Sequence, residues 1–337
     1  MKFSGLNIDC YRIALRALII LALVFVGSQR VYGEWYSQEE PIMGTRVFVE
    51  LWSDDPSRAT LLMQGVMDEM ERINQLMSPY QEESELAIIN RDAVLHPVKI
   101  SAELFDLIMK ANQYSELSAG AFDITFASVG HQYDYRQHKR PTLIEQRAAA
   151  ALINYQNLKL NPADSSIQFS KPGMRIDLGG IAKGYAVDRA VSELTAAGVQ
   201  HAIVTAGGDS RLLGDHRGRP WMLGIKHPRG EEHVITLPLA DSAVSTSGDY
   251  ERFFEEDGVR FHHIIDPSDG DSARELLSVT VLAEKSVDAD ALSTTVFVLG
   301  RIEGLKLVNS LAGVSAILID RTGKVFYSDD LMDPTMQ

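Results

Sequence analysis

Hydrophobic residues along this chain recur with two different periods, and the places where one gives way to the other mark out its elements. Over 46–52 apolar and polar residues alternate, the period of a half-buried strand. Over 59–77 the residues Leu62, Val66, Met70, Ile73 and Met77 fall at helical spacing, so a single stripe faces a core. Ser101 opens a second helix that runs toward Leu117. Thr142, with Glu145 three residues later, forms a capping box ahead of an alanine-rich helix.

Beyond Leu158 the elements shorten. Strands are expected at 158–160, 167–170, 175–178, 202–206, 222–226 and 234–237, separated by glycine turns. Helices are expected at 181–197, ended by Gly198, at 290–299, ended by Gly300, and at 303–311, before Gly313. A closing hairpin joins 316–320 to 325–328. Regular strand–helix–strand repeats are missing, so the pattern predicts an α+β or mixed α/β fold. With no internal repeat and no long Pro/Gly/Ser linker, residues 34–337 read as one domain.

The first residues follow another rule. Lys2, Arg12 and Arg16 precede an unbroken apolar run over 17–26, and Gly27 and Ser28 follow it. This is the layout of a secretory signal peptide over 1–33, with cleavage expected between 27 and 33. The run falls short of the roughly 20 residues that cross a bilayer comfortably. Export to the periplasm is therefore the expectation, with an uncleaved anchor at the inner membrane as the alternative. Cys10, the only cysteine, lies in this segment, which leaves the exported domain without disulfide or thiol chemistry.

A net charge of −14 excludes broad contact with nucleic acid or an anionic membrane, since both need a basic face. Losing residues 1–33 would make the chain more acidic still, because Lys2, Arg12, Arg16 and Arg30 outnumber Asp9 there. An anionic ligand would need a local device, such as a metal ion or a helix N-terminus.

One such device is visible. Asp177-Leu178-Gly179-Gly180-Ile181-Ala182-Lys183-Gly184 runs from an extended approach into a helix start, and its glycines free backbone N–H groups for a phosphate. It matches neither dinucleotide nor P-loop fingerprints, and a structural turn is the plain alternative. Asp290 and Thr294 stand one helical turn apart and offer hard oxygen ligands suited to Mg²⁺, although a helix cap and a packing threonine would look the same. His262 and His263 end a short apolar strand and point to opposite faces, so at most one serves a given site, with His263 favoured as a base or ligand contact. Thr246 to Tyr250 and Ala206-Gly207-Gly208-Asp209 are tight turns after apolar strands.

Taken in order, these stretches resemble the ApbE family of FAD:protein FMN transferases. The resemblance rests on Met43-Gly44-Thr45, Ser78-Pro79-Tyr80, Ser84-Glu85-Leu86, Asn90 and Gly120-Ala121-Phe122-Asp123-Ile124-Thr125. It continues through Asp177 to Gly184, Gly207-Gly208-Asp209, Thr246 to Tyr250, His263 to Pro267 and Asp290-Ala291-Leu292-Ser293-Thr294. The sequence departs from the family pattern after Thr125, at Phe126 to His131.

The resemblance implies a fold of two intertwined lobes with FAD bound between them. It implies FAD contacts at Met43, Tyr80, Ala121, Phe122, Asp123, Asp177, Lys183 and Ile264, and Mg²⁺ ligands at the Gly180 carbonyl, Asp290 and Thr294. The implied reaction moves FMN from FAD to a threonine or serine of an acceptor protein and releases AMP, with His263 and Asp290 as catalytic candidates. The implied acceptors are subunits of ion-pumping redox complexes. Two alternatives stay open: an FAD pyrophosphatase releasing FMN and AMP, and a flavin-binding protein without turnover.

Overall fold

A computed structural model describes residues 33–230 and 232–332. Apart from Gly33, the expected signal segment lies outside the described residues. The strands are β1 (Glu34–Ile42), β2 (Thr45–Ser53), β3 (Val98–Lys99), β4 (Leu158–Asn161), β5 (Ser166–Phe169), β6 (Ala202–Ala206), β7 (Asp209–Leu213), β8 (Trp221–Lys226), β9 (His233–Leu239), β10 (Ala243–Gly248), β11 (Phe253–Glu256), β12 (Val259–His262), β13 (Leu276–Ala283), β14 (Ser315–Asp320) and β15 (Val325–Tyr327). The helices are α1 (Pro56–Met77), α2 (Glu85–Asp92), α3 (Ala102–Leu117), α4 (Ala127–Gly130), α5 (Leu143–Ala150), α6 (Ala182–Ala196), α7 (Ser286–Asn309) and α8 (Asp329–Met332).

Eight strands form one sheet in the order β1-β2-β6-β7-β10-β13-β14-β15, and every pairing in it is antiparallel. Antiparallel pairing needs no crossover helices, which is why the sequence carries no strand–helix repeat. The long helices lie across the sheet. α1 packs on β1 and β2, α6 on β6 and β7, and α7 on β10, β13 and β14. Alternation in β2 sends Val47, Val49 and Leu51 inward, where Met70 and Ile73 of α1 and Ala186 and Ala190 of α6 meet them in the main core. A second core gathers Val279, Val281 and Leu318 of the sheet against Leu292, Val296 and Phe297 of α7. A smaller cluster of Val129, Tyr133, Ala149, Phe254, Phe261 and Ile265 supports the β11–β12 hairpin. The fold is α+β, as expected.

Several local readings hold to the residue. Ser101 caps α3 through Leu104 N, and the Thr142/Glu145 capping box is formed in both directions. Two readings change. The segment 175–178 is extended but joins no sheet, because the Asn90 side chain stands in for a neighbouring strand: its Oδ1 accepts from Ile176 N at 2.7 Å and its Nδ2 donates to Ile176 O at 2.9 Å. The helix expected to start at Asp290 starts at Ser286, one turn earlier. The sequence around it holds no self-cap; the donors Ser286 N and Val287 N are instead satisfied by Asp188 of α6, each at 2.9 Å. Gly300, at φ 74°, then breaks α7 where the break was expected.

The cap is returned. The α6 N-terminus has no side-chain cap of its own, and its Gly184 N donates to Asp290 Oδ2 of α7 at 2.9 Å. Each helix therefore supplies the carboxylate that closes the other's N-terminus. This requires close approach: a Cβ on Gly184 would lie 2.2 Å from Ser286 O and 2.7 Å from Asp290 Cβ. Gly184→Ala is expected to lower the urea midpoint by the equivalent of at least ~1–3 kcal/mol, the usual cost of overpacking a core contact. An unchanged midpoint would show that the helices can separate without loss.

Candidate functional site

The α6 N-terminus is the centre around which the candidate residues gather. The turn before it is shaped by Asp177, whose Oδ1 accepts from Gly179 N at 2.6 Å, while Asp177 N donates to Ile124 O at 3.0 Å. Burial raises the Asp177 carboxyl above its ordinary range, and the Gly179 N–H works against that rise. Gly180 is wedged between two other candidates: a Cβ there would sit 3.2 Å from both Phe122 Cε2 and Thr294 Oγ1. Gly180, Phe122 and Thr294, drawn from three distant stretches of the sequence, thus share one corner.

Lys183, in the first turn of α6, reaches Asp209 Oδ2 at 2.5 Å and Asp290 Oδ1 at 3.5 Å. Both carboxylates are almost fully buried. Burial alone would lower the Lys183 pKa, but Asp209 and Asp290 outweigh it and hold the ammonium charged. Burial and the neighbouring Asp209 charge push Asp290 well above the ordinary carboxylate range, against the pull of Lys183. When both are ionised, the two buried carboxylates outnumber the single ammonium, a setting that favours a further cation.

The β1–β2 turn closes on the same place. Met43 and Gly44 have φ of 55° and 70°, so a methionine holds the left-handed conformation that glycine or asparagine usually fills. Such strain costs of order 1–3 kcal/mol and concentrates at functional sites. Gly207 admits the turn: a Cβ there would lie 2.6 Å from Thr45 Oγ1. The Gly207–Gly208 turn leads directly into Asp209, so Met43 is carried to the Lys183 end of the site.

His262 and His263 part ways as alternation requires. His262 is 3% exposed; its Nε2 meets Ala273 O at 2.7 Å and its ring stands edge-on to Phe297. Its place is structural. His263 is half-buried, its N donates to Arg252 O at 3.1 Å, and its Nδ1 is buried with no partner. Burial and the positive fields of Arg252 and His262 push His263 down to about 3, so the ring is neutral with an uncommitted nitrogen. Ile264, 5% exposed, follows in the second core.

The remaining candidates lie further out. Phe122 is buried edge-on to Tyr114, 6.0 Å between centroids, with Ala121 half-buried beside it. The Asp123 carboxylate is committed to the chain itself, accepting from Thr125 N, Thr125 Oγ1 and Tyr155 N at 2.6–2.8 Å. Tyr80 is 85% exposed, and Tyr135 donates to His262 O at 3.3 Å. Among the described residues no group of three or more His, Cys, Asp or Glu forms a metal cluster.

Sequence reasoning read two of the site residues, Asp209 and Ser247, as parts of turns and did not single out a third, Arg252. Asp209 was read with its glycine turn, and its burial against Lys183 comes from the sheet. Arg252, exposed and without an ion pair among the described residues, projects its charge onto Asp177, Lys183 and His263. Ser247, two residues after Ser245 on one face of β10, contacts Thr294 Oγ1 at 3.3 Å. The i, i+2 serine pair was the available signal for the last of these.

Sheet, helices and cluster define an α+β protein in which a helix N-terminus and a set of hard oxygen donors meet at one corner. The chain belongs to the ApbE family, whose model matches residues 43–318. The FAD:protein FMN transferase of Klebsiella pneumoniae (strain 342) is 32% identical over 298 residues, covering 87% of this chain and 92% of that protein. The FAD:protein FMN transferase of Treponema pallidum (strain Nichols) is 31% identical over 345 residues, covering 96% and 94%. Among solved structures, the ApbE protein of Thermotoga maritima superposes with a TM-score of 0.82 at 35% identity, covering 89% of this chain and 98% of that one. The flavin transferase ApbE of Vibrio cholerae gives 0.80 at 28% identity, covering 89% and 99%.

The two histidines set a pH dependence. Burial lowers His262 to about 4, below its ordinary 6.5, so the unfolded chain takes up the proton first. Its share of stability is complete above about pH 6.5 and is lost as pH falls toward 4. The urea midpoint is expected to drop between about pH 7.5 and pH 5, and to drop less in His262→Gln. An identical decline in both proteins would remove His262 as its source.

Proposed function

We propose that this chain transfers FMN from FAD to a threonine or serine hydroxyl of an acceptor protein, with AMP as the second product. The observation that carries this reading is the meeting of Gly180, Lys183, Asp290 and Thr294 at the α6 N-terminus, in a chain related to named FAD:protein FMN transferases. A pyrophosphate needs N–H donors, cations and hard-oxygen metal ligands in one place, and this corner offers each.

The donors fit Mg²⁺. Among the described residues the nearest donor to Asp290 Oδ1 is Lys183 at 3.5 Å, Thr294 lies one turn on, and a Cβ on Gly180 would come within 3.2 Å of the Thr294 hydroxyl. Mg²⁺ is usually held by one or two carboxylates together with substrate phosphates, which matches a site too sparse to form a protein-only cage. The Gly180 carbonyl, Asp290 and Thr294 would hold it, and when bound it neutralises pyrophosphate charge and stabilises the departing phosphate.

In the proposed reaction the acceptor oxygen bonds to the FMN-side phosphorus while the bridging P–O bond breaks toward AMP. The uncommitted Nδ1 of His263 is the group placed to take or orient the hydroxyl proton. In the free site burial depresses its basicity most, and Arg252, His262 and Lys183 add to this; a bound pyrophosphate would oppose those positive charges and raise it. Phe122 and Met43 supply apolar surface for the isoalloxazine ring, with Tyr80 exposed at the rim. The charged and apolar pattern of residues 1–33 supports export, and with it acceptors that are periplasmic or membrane-bound proteins such as subunits of ion-pumping redox complexes.

The test combines the protein with FAD, Mg²⁺ and an acceptor domain and follows the acceptor's intact mass and AMP. A gain of one FMN that disappears with EDTA is the expected result; AMP without a mass gain would replace transfer by hydrolysis, and neither product would reduce the role to flavin binding. Asp290→Ala is expected to lower transfer by about a hundredfold or more, the scale of losing a group that stabilises transition-state charge. Full activity in that variant would remove Asp290 from the reaction.

A further inference from the structure

A line of hydroxyl groups runs through the interior from Asp209 to Thr294. Asp209 Oδ1 accepts from Ser245 Oγ at 2.5 Å, Ser245 Oγ lies 3.1 Å from Ser293 Oγ, and Ser293 Oγ lies 2.8 Å from Ser247 Oγ. Ser247 Oγ then lies 3.3 Å from Thr294 Oγ1. Asp209, Ser245 and Ser293 are at most 1% exposed, whereas Ser247 and Thr294 are half-buried at the site. The residues come from the start of β7, the middle of β10 and the second turn of α7.

Each hydroxyl has one proton, and that fixes the direction of the line. A carboxylate only accepts, so Ser245 must donate to Asp209 and has only lone pairs left for Ser293. The Ser293 proton is shared between Ser245 and the Asp290 carbonyl, 3.0 Å away, which also only accepts. Ser247 must then donate to Ser293, and Thr294 must donate to Ser247. Lys183 pins the other Asp209 oxygen, so the terminus cannot turn. Successive bonds of one direction polarise each other in a low-dielectric interior.

The geometry points to Asp209 as a positioning residue: through Ser245, Ser293 and Ser247 it holds the Thr294 proton turned inward, so that the Thr294 oxygen presents its lone pairs to a cation in the site. This rests on Thr294 as a metal ligand, which belongs to the proposed function. Asp209, Ser245 and Ser247 touch neither metal nor substrate; they act by fixing the orientation of a group that does. Asp209→Asn is diagnostic because an amide N–H facing Ser245 would reverse the bonds at Ser245 and leave the Ser293 proton only the Asp290 carbonyl, so the one-way polarisation from Asp209 to Thr294 is broken at Ser293.

The experiment titrates Mn²⁺ into the whole protein, with and without FAD, and reads the free-ion paramagnetic resonance signal, a measurement independent of turnover. Ser245→Ala and Ser247→Ala, which change no charge, and Asp209→Asn are each expected to weaken Mn²⁺ binding by on the order of 10- to 100-fold, the usual cost of removing a group that orients a metal ligand. Thr280→Val is the control. It deletes the partner of Thr246, a hydroxyl pair of 2.9 Å on the opposite face of β10, and should leave the affinity unchanged. Thermal melts accompany each variant, and affinity is compared below their midpoints.

Weakening in all three variants but not in the control supports the inference. Weakening in Asp209→Asn alone overturns it, because loss of charge would then suffice. Unchanged affinity in Ser247→Ala overturns it as well, while leaving the metal assignment standing. Absence of Mn²⁺ binding by the unaltered protein overturns the metal assignment and this inference together.

Discussion

The exchange of caps between α6 and α7 is the constraint on which the site depends. Asp188 closes the N-terminus of α7 and Asp290 closes that of α6, with Gly184 as the only residue small enough for the contact. The exchange brings a helix N-terminus, a buried carboxylate and a lysine to one point. It also explains why Asp290 sits one turn inside its helix: a residue at the start would serve its own helix. The remaining Asp290 oxygen faces Lys183 at 3.5 Å.

The sheet sets the other half of the site. Antiparallel pairing of β7 with β10 and of β10 with β13 lays Asp209, Ser245 and Ser247 beneath the second turn of α7. The Met43–Gly44 turn closes over the end of β6 because Gly207 leaves room for Thr45. Apolar residues hold these elements in place, and the polar groups are satisfied almost entirely by one another. This is how an acidic chain keeps a half-buried lysine charged and two buried carboxylates in register.

Much of this was legible in the sequence, and the limits have physical causes. Periodicity gave α1, α3 and β2, and capping chemistry gave the start of α5, because these signals lie within a few residues of each other. The segment 175–178 looked like a strand since its backbone is extended; its partner is the side chain of Asn90, which no local pattern reveals. The true start of α7 was hidden for the same reason, its cap lying almost a hundred residues away in Asp188. Within the site, Asp290, Thr294, Gly180 and Lys183 were marked by composition and spacing together with family resemblance. Asp209 and the serines look ordinary until the sheet stacks them. Asp123 shows the converse, a carboxylate prominent in the sequence whose oxygens are occupied by the Thr125 and Tyr155 donors.

The exchanged caps also bear on how the molecule breathes. Fraying normally begins at a helix end, one terminus at a time, with free energies well below that of global unfolding. Here the first turn of α6 cannot fray without exposing Asp290, and the first turn of α7 cannot fray without releasing Asp188. The two ends form a single cooperative unit, so the amides around the site open together or stay shut.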